Sequence, residues 1–273
     1  MRDKTGSVLF AALVMIGIAA GVILMCTSMI GLMTKQSRRY QITLQRIEEI
    51  KKALFGKMVN VRADMDIENC GGFISDYGKP DNVTGNCISY LLQKPSGWKN
   101  WSYDNATHFF SGYRGSHYLN ANAEGNKFID GWGNEMQVHF DSNKINIKSL
   151  GSDGKEGGNS TYAEDIIEDF YYKRDVELTI CFINNSPDNY TGNVTAEIIY
   201  PEKGGLLSDN KTKSVFVEGN NDNETTFSFS SIPVGLRKVN IKDNNTIINK
   251  TKALYIPYTL VSKEYKDSFE VEL

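Results

Sequence analysis

An α+β fold is what the 273-residue sequence predicts: a long N-terminal transmembrane helix packed on a small antiparallel sheet, followed by an all-β sandwich domain. Three observations lead there. The run from Ser7 to Met33 carries no charge; apolar residues recur at helical spacing beyond it; and the chain past Asp175 breaks into β-rich runs separated by Asn, Asp and Gly.

The helix comes first. At 1.5 Å per residue, SVLFAALVMIGIAAGVILMCTSMIGLM reaches about 40 Å, enough to cross a hydrocarbon layer of about 30 Å. A secretory signal has a shorter apolar core and a small-x-small cleavage site, so this run reads as a retained membrane helix. Past it, Ile47, Ile50, Leu54 and Met58 make one apolar stripe, with Arg46, Glu48, Glu49, Lys51 and Lys52 on the other faces. Neither Pro nor Gly interrupts Thr34 to Phe55. The expected helix therefore has a membrane half, 7–33, and an amphipathic half, 34–60. Orientation has two readings. Lys35, Arg38 and Arg39 after the run outnumber Arg2 and Lys4 before it, which by charge alone places the body in the cytoplasm. The cysteines and the polar composition of the body point to the opposite side.

Net charge is -3, and the positive residues gather only in 35–57, which argues against a nucleic-acid binder. Cys70 and Cys87 bracket the polar stretch NCGGFISDYGKPDNVTGNC. A disulfide would close it comfortably, stabilising the fold by about 3 kcal/mol in an oxidising compartment; two unpaired thiols are the other reading. Cys26, in the membrane run, and Cys181, in a strand-like run, read as small apolar side chains. His108, His117 and His139 lack zinc-ligand spacing. His139 and Asp141 have no G-x-S-x-G elbow to complete a triad, and no P-loop or dinucleotide fingerprint occurs. No enzyme is expected. Sequons such as those at Asn82, Asn105 and Asn193 arise readily in an Asn-rich chain.

The start, MRDKTG followed by SVLFAALVMIGI, resembles the leader of type IV pilins and type II secretion pseudopilins. The resemblance implies cleavage by a prepilin peptidase after Gly6, a methylated N-terminus at Ser7, and a leader of residues 1–6. It also implies an inner-membrane helix with the body in the periplasm or on an extracellular filament. Partners would be other pilin or pseudopilin subunits and an inner-membrane assembly platform. One position departs: the family carries Glu at the fifth mature residue, where this chain has Ala11.

Residues 61–172 extend the resemblance to the globular part of major pseudopilins. Asp130, Trp132, Gly133 and Asn134 match a D-x-W-G-N strand entry; Ser149, Leu150, Gly151, Asp153, Gly154, Gly157 and Gly158 match an S-L-G-x-D-G loop. Physically, Gly133 and Asn134 suit a turn, and Trp132 suits a core position between helix and sheet. MQVHF and KINIK alternate as two antiparallel strands joined by DSN. The loop 149–166 gathers carboxylates, which disfavours a phosphate cradle. Oxygen ligands for calcium are on hand instead: Asp153, Glu164 and Asp165, the Leu150 carbonyl, and the side chains of Asn159 and Ser160. The resemblance places Ca2+ here, its ligands matching best at Leu150, Asp153 and Asp165; Asn159 and Ser160 stand where relatives often have an acid.

Residues 173–273 form the expected sandwich, of short strands at regular spacing. FSFSSIPVGLRKVNI is similar to the strand–P-x-G–strand hairpin of carboxypeptidase-regulatory-like sandwiches.

Overall fold

The computed structural model describes residues 4–56, 71–79, 85–114, 118–120, 127–243, 246–257 and 264–273. It opens with α1 (Lys4–Phe55), one helix of 52 residues, about 78 Å long at 1.5 Å per residue. Within Met15–Phe55 lies a window of mean hydropathy 2.2, none of it buried against the protein. This helix is long and apolar enough to cross a membrane. Three hydroxyls in it bond within the helix: Thr27 Oγ1 donates to Ile23 O, Ser28 Oγ to Met25 O and Thr34 Oγ1 to Ile30 O. That is the arrangement a lipid environment demands of polar side chains. Gly6 and Ser7 lie in the first turn of α1.

The lower half of α1 is pinned to the body. Ile47, Ile50 and Leu54 are fully buried, each contributing about 1.5–3 kcal/mol. The helix ends at Phe55, and residues 57–60 of its expected amphipathic half lie outside the described residues. Gly56 takes φ +77 and donates its N–H to Lys52 O, the left-handed glycine that commonly ends a helix. Met58, the last residue of the expected stripe, lies outside the described residues.

Two short helices follow, α2 (Phe73–Asp76) and α3 (Ser89–Leu92), then a small antiparallel hairpin of β1 (Ser102–Asp104) and β2 (Phe109–Ser111). Next come β3 (Gln137–Phe140), β4 (Lys144–Ser149) and β5 (Ile166–Tyr171), an antiparallel sheet in sequential order. The expected pairing of MQVHF with KINIK is found, and Asp141 N–H closes the turn onto Lys144 O. Val138, Ile145, Ile147 and Phe170 from this sheet share one buried cluster with the α1 stripe. Lys51 joins the two layers by reaching Glu168 and the Phe170 ring.

The remainder is β6 (Lys173–Asn184), β7 (Tyr190–Glu202), β8 (Gly205–Val217), β9 (Asn221–Pro233), β10 (Gly235–Asp243), β11 (Thr246–Ile256) and β12 (Glu264–Glu272). They form a four-stranded sheet, β11-β10-β7-β8, and a three-stranded one, β12-β6-β9, in which β12 runs parallel to β6. Alternate residues of β6 (Val176, Leu178, Ile180, Phe182) are buried in one cluster with Val194, Ala196, Val239 and Ile241 of the other sheet. Two expectations change. The strands are long, 9 to 13 residues. The Pro233-Val234-Gly235 segment is no paired hairpin either: β9 bonds to β6 while β10 bonds to β7 and β11. The chain turns a corner there from one sheet to the other, with Val234 buried and Gly235 at φ +112.

β5 and β6 are separated by Tyr172 alone, and the central and C-terminal parts are tightly joined. Val234 N–H bonds to Tyr172 O, Gly204 N–H to Tyr77 O, and Leu236 N–H to Ser75 Oγ. Arg237, fully buried, donates to the carbonyls of Pro233, Val234, Leu236 and Ser75.

Candidate functional site: a helix clasp and an acidic glycine loop

The D-G-W-G-N turn grips α1 just beyond its apolar half. Gly131 lies so close that a β-carbon would overlap the Arg39 carbonyl. Its N–H donates to Thr43 Oγ1 at 3.0 Å, and that fully buried hydroxyl donates in turn to Arg39 O. Asp130 is the buried keystone. Its Oδ1 accepts the N–H groups of Trp132 and Asn134, both at 2.9 Å, and its Oδ2 accepts Ser149 Oγ at 2.6 Å. Three donors thus satisfy this buried side chain.

Trp132 does not plug the core, as its apolar bulk suggested. It is half-buried at the rim, with Nε1 donating to Gln36 Oε1 at 2.7 Å and its ring edge-on to Tyr40 at 6.4 Å. Tyr162 of the acidic loop completes the trio, 6.2 Å from Tyr40. The indole N–H explains the position: at the rim it finds a partner that an apolar core would deny it.

Asn134 then hands the turn on to the loop through a 2.6 Å bond from Nδ2 to Gly151 O. After Leu150 the backbone makes a single 3-10 turn, Gly151–Asp153. Gly151 sits at φ +64, where a β-carbon would meet the carbonyl oxygens of Tyr162, Ala163 and Glu164 at 2.7–2.8 Å. The loop's two ends therefore touch through a glycine, and Ser152 N–H bonds to Tyr162 O at 2.6 Å.

The expected ligands are distributed as follows. Asp153 is exposed, and its Oδ1 accepts Lys155 N–H. Asn159, Ser160 and Glu164 are exposed, and Ser160 O accepts the N–H groups of Ala163 and Glu164. Asp165 alone is drawn in: its side chain is 9% exposed, Oδ2 lies 3.0 Å from Lys148 Nζ and accepts Gly157 N–H at 3.1 Å, and Oδ1 has no protein partner. Lys148 also reaches Glu156 Oε1 at 2.8 Å. Among the described residues no group of three His, Cys, Asp or Glu side chains is placed to hold a metal ion.

Lys148 is the residue sequence reading missed. In KINIK it has the parity of a solvated strand side chain, and nothing local reveals that the loop after it folds back over the ammonium.

Cys87 is buried, its thiol facing Gly85 O at 3.3 Å. Burial pushes this thiol up to about 11, against smaller lowering by a Phe140 backbone bond and Lys79. Cys70, its expected partner, lies outside the described residues, as does His117. His108 meets Tyr103 Oη at 2.9 Å and His139 meets Gln137.

No protein-family model matches the chain. No curated protein matches its sequence.

Proposed function

We propose that the chain is a structural subunit of a type II secretion pseudopilus or type IV pilus-like filament, assembled through its N-terminal helix. The observation that carries this reading is the continuity of α1. One unbroken rod offers a bare apolar half, in which Ile16, Ile23 and Ile30 are all exposed, and pins its other half to the body. A simple anchor needs no rigid joint between lipid and body. A filament subunit does, because helix-to-helix packing sets where each body sits. In this reading the helix waits in a bacterial inner membrane with the body outside. The prepilin peptidase cuts between Gly6 and Ser7, and an assembly platform passes the subunit to its neighbours.

Ala11 favours a second reading. A family subunit uses Glu there to pair with its neighbour's N-terminus, and a chain without it loses that contact. The alternative is a single-pass anchored extracytoplasmic binding protein that does not polymerise. N-terminal mass spectrometry on the protein from native membranes separates the two. A mature chain starting at Ser7, methylated, is the expected result; an intact Met1 supports the plain anchor.

A further inference from the structure

We infer that Lys148 supplies, from within the chain, the positive charge for which the pseudopilin resemblance brings in calcium. A cation in this loop has one mechanical task, to tie the outgoing half to the returning half across a set of oxygens. The Lys148 ammonium performs it. From β4 it spans Glu156 Oε1 at 2.8 Å and Asp165 Oδ2 at 3.0 Å, with its side chain only 11% exposed. Gly157 N–H adds its bond to the same Asp165 oxygen. The pair with Asp165 matters most, because both partners are nearly buried; Glu156 is 87% exposed, and water screens it.

The remaining donors fit the same assignment. Asn159 and Ser160 are neutral and exposed, Glu164 is exposed, and Asp153 is exposed with Oδ1 accepting Lys155 N–H. A calcium ion reaching Asp165 would have to displace Lys148 from a carboxylate that it already pairs at 3.0 Å. Asp165 Oδ1, buried and without a protein partner, is the oxygen through which a metal would enter if that exchange occurred. It makes calcium the natural probe.

This inference does not depend on how the chain assembles. The experiment uses the full chain in detergent micelles, melted with excess calcium and again with a calcium chelator, beside Lys148→Gln and Lys148→Arg. The wild-type midpoint is expected to be the same in both conditions, and K148R to behave like wild type. K148Q is expected to melt lower in both conditions, because the exposed and neutral donors around Asp165 do not make up a calcium site. A wild-type midpoint that falls on chelation overturns the inference. So does a K148Q chain that is unharmed. Should K148Q fail to fold, amide exchange over residues 149–166 of the wild type decides: protection unchanged by calcium upholds the internal cation, and slowing by calcium refutes it.

Discussion

Gly131 and Gly133 stand two residues apart and are glycines for different reasons. Gly133 sits at φ +98 with open space beside it, so its need is backbone freedom, readable from the turn-like context of D-G-W-G-N. Gly131 is a matter of contact with Arg39, far upstream, and no local pattern announces it. Gly131→Ala forces the turn off the helix or bends the helix away, and Thr43 Oγ1 then loses the N–H that it accepts. Overpacking of this kind costs about 1–3 kcal/mol. Urea denaturation in micelles should show a loss in that range, whereas Gly133→Asn, a residue that tolerates positive φ, should cost less. Lys148 and Asp165 teach the same lesson for the site. The acidic residues of the loop were legible as a cluster, but which one turns inward depended on a lysine from the preceding strand.

At the scale of elements, legibility followed periodicity. The β3–β4 pair was readable because apolar residues alternate and a polar turn separates them. β8 was half hidden, since its middle, SDNKTKS, is polar and largely exposed on the edge of the sheet; charged edges discourage pairing with other chains and also mask the strand. The corner between β9 and β10 looked like a hairpin because sequence shows adjacency and not which sheet each strand joins. Glu197 on β7 marks how the outer face of the larger sheet is held. Its Oε2 accepts from Lys242 at 2.8 Å and from Asn240 at 2.8 Å, both on β10. Burial alone raises this carboxyl's pKa, but the bonds from Lys242 and Asn240, with the Lys242 charge and Ser208, outweigh it and leave the value below the ordinary one. A depressed carboxylate stabilises the fold above the unfolded glutamate value of about 4.3, and the contribution disappears as pH falls through the folded value. Wild type should therefore exceed Glu197→Gln in stability at pH 7, with the gap closing below about pH 4. Urea midpoints measured across that range check it; a gap independent of pH would assign the effect to packing.

The whole molecule is joined at a seam that sequence showed only as a change of texture near Asp175. Units connected by a linker ordinarily move against one another unless a large apolar interface prevents it. Here a single buried cluster runs from Ile47 of α1 through Phe170 and Tyr172 to Val176 and beyond. Arg237 locks it. Its guanidinium, buried among carbonyls from the β9–β10 corner and from Ser75 in α2, spends its donors on backbone that has no other reason to converge. In sequence it is one basic residue in GLRKVNIK, indistinguishable from its neighbour Lys238, which reaches Thr107 O. Replacing it with Leu keeps much of the volume and removes every donor, stranding several buried carbonyls at about 1–3 kcal/mol each. The expected loss is at least about 3 kcal/mol. The sharper signature is cooperativity. Calorimetry on the wild type should give one transition for the body, because no part can leave without opening the shared cluster. Arg237→Leu should separate it into two, the C-terminal strands parting from the helix-backed sheet. If the variant keeps a single transition and merely melts earlier, the seam is held by its apolar contacts, and the rod and the sandwich move as one piece without the arginine.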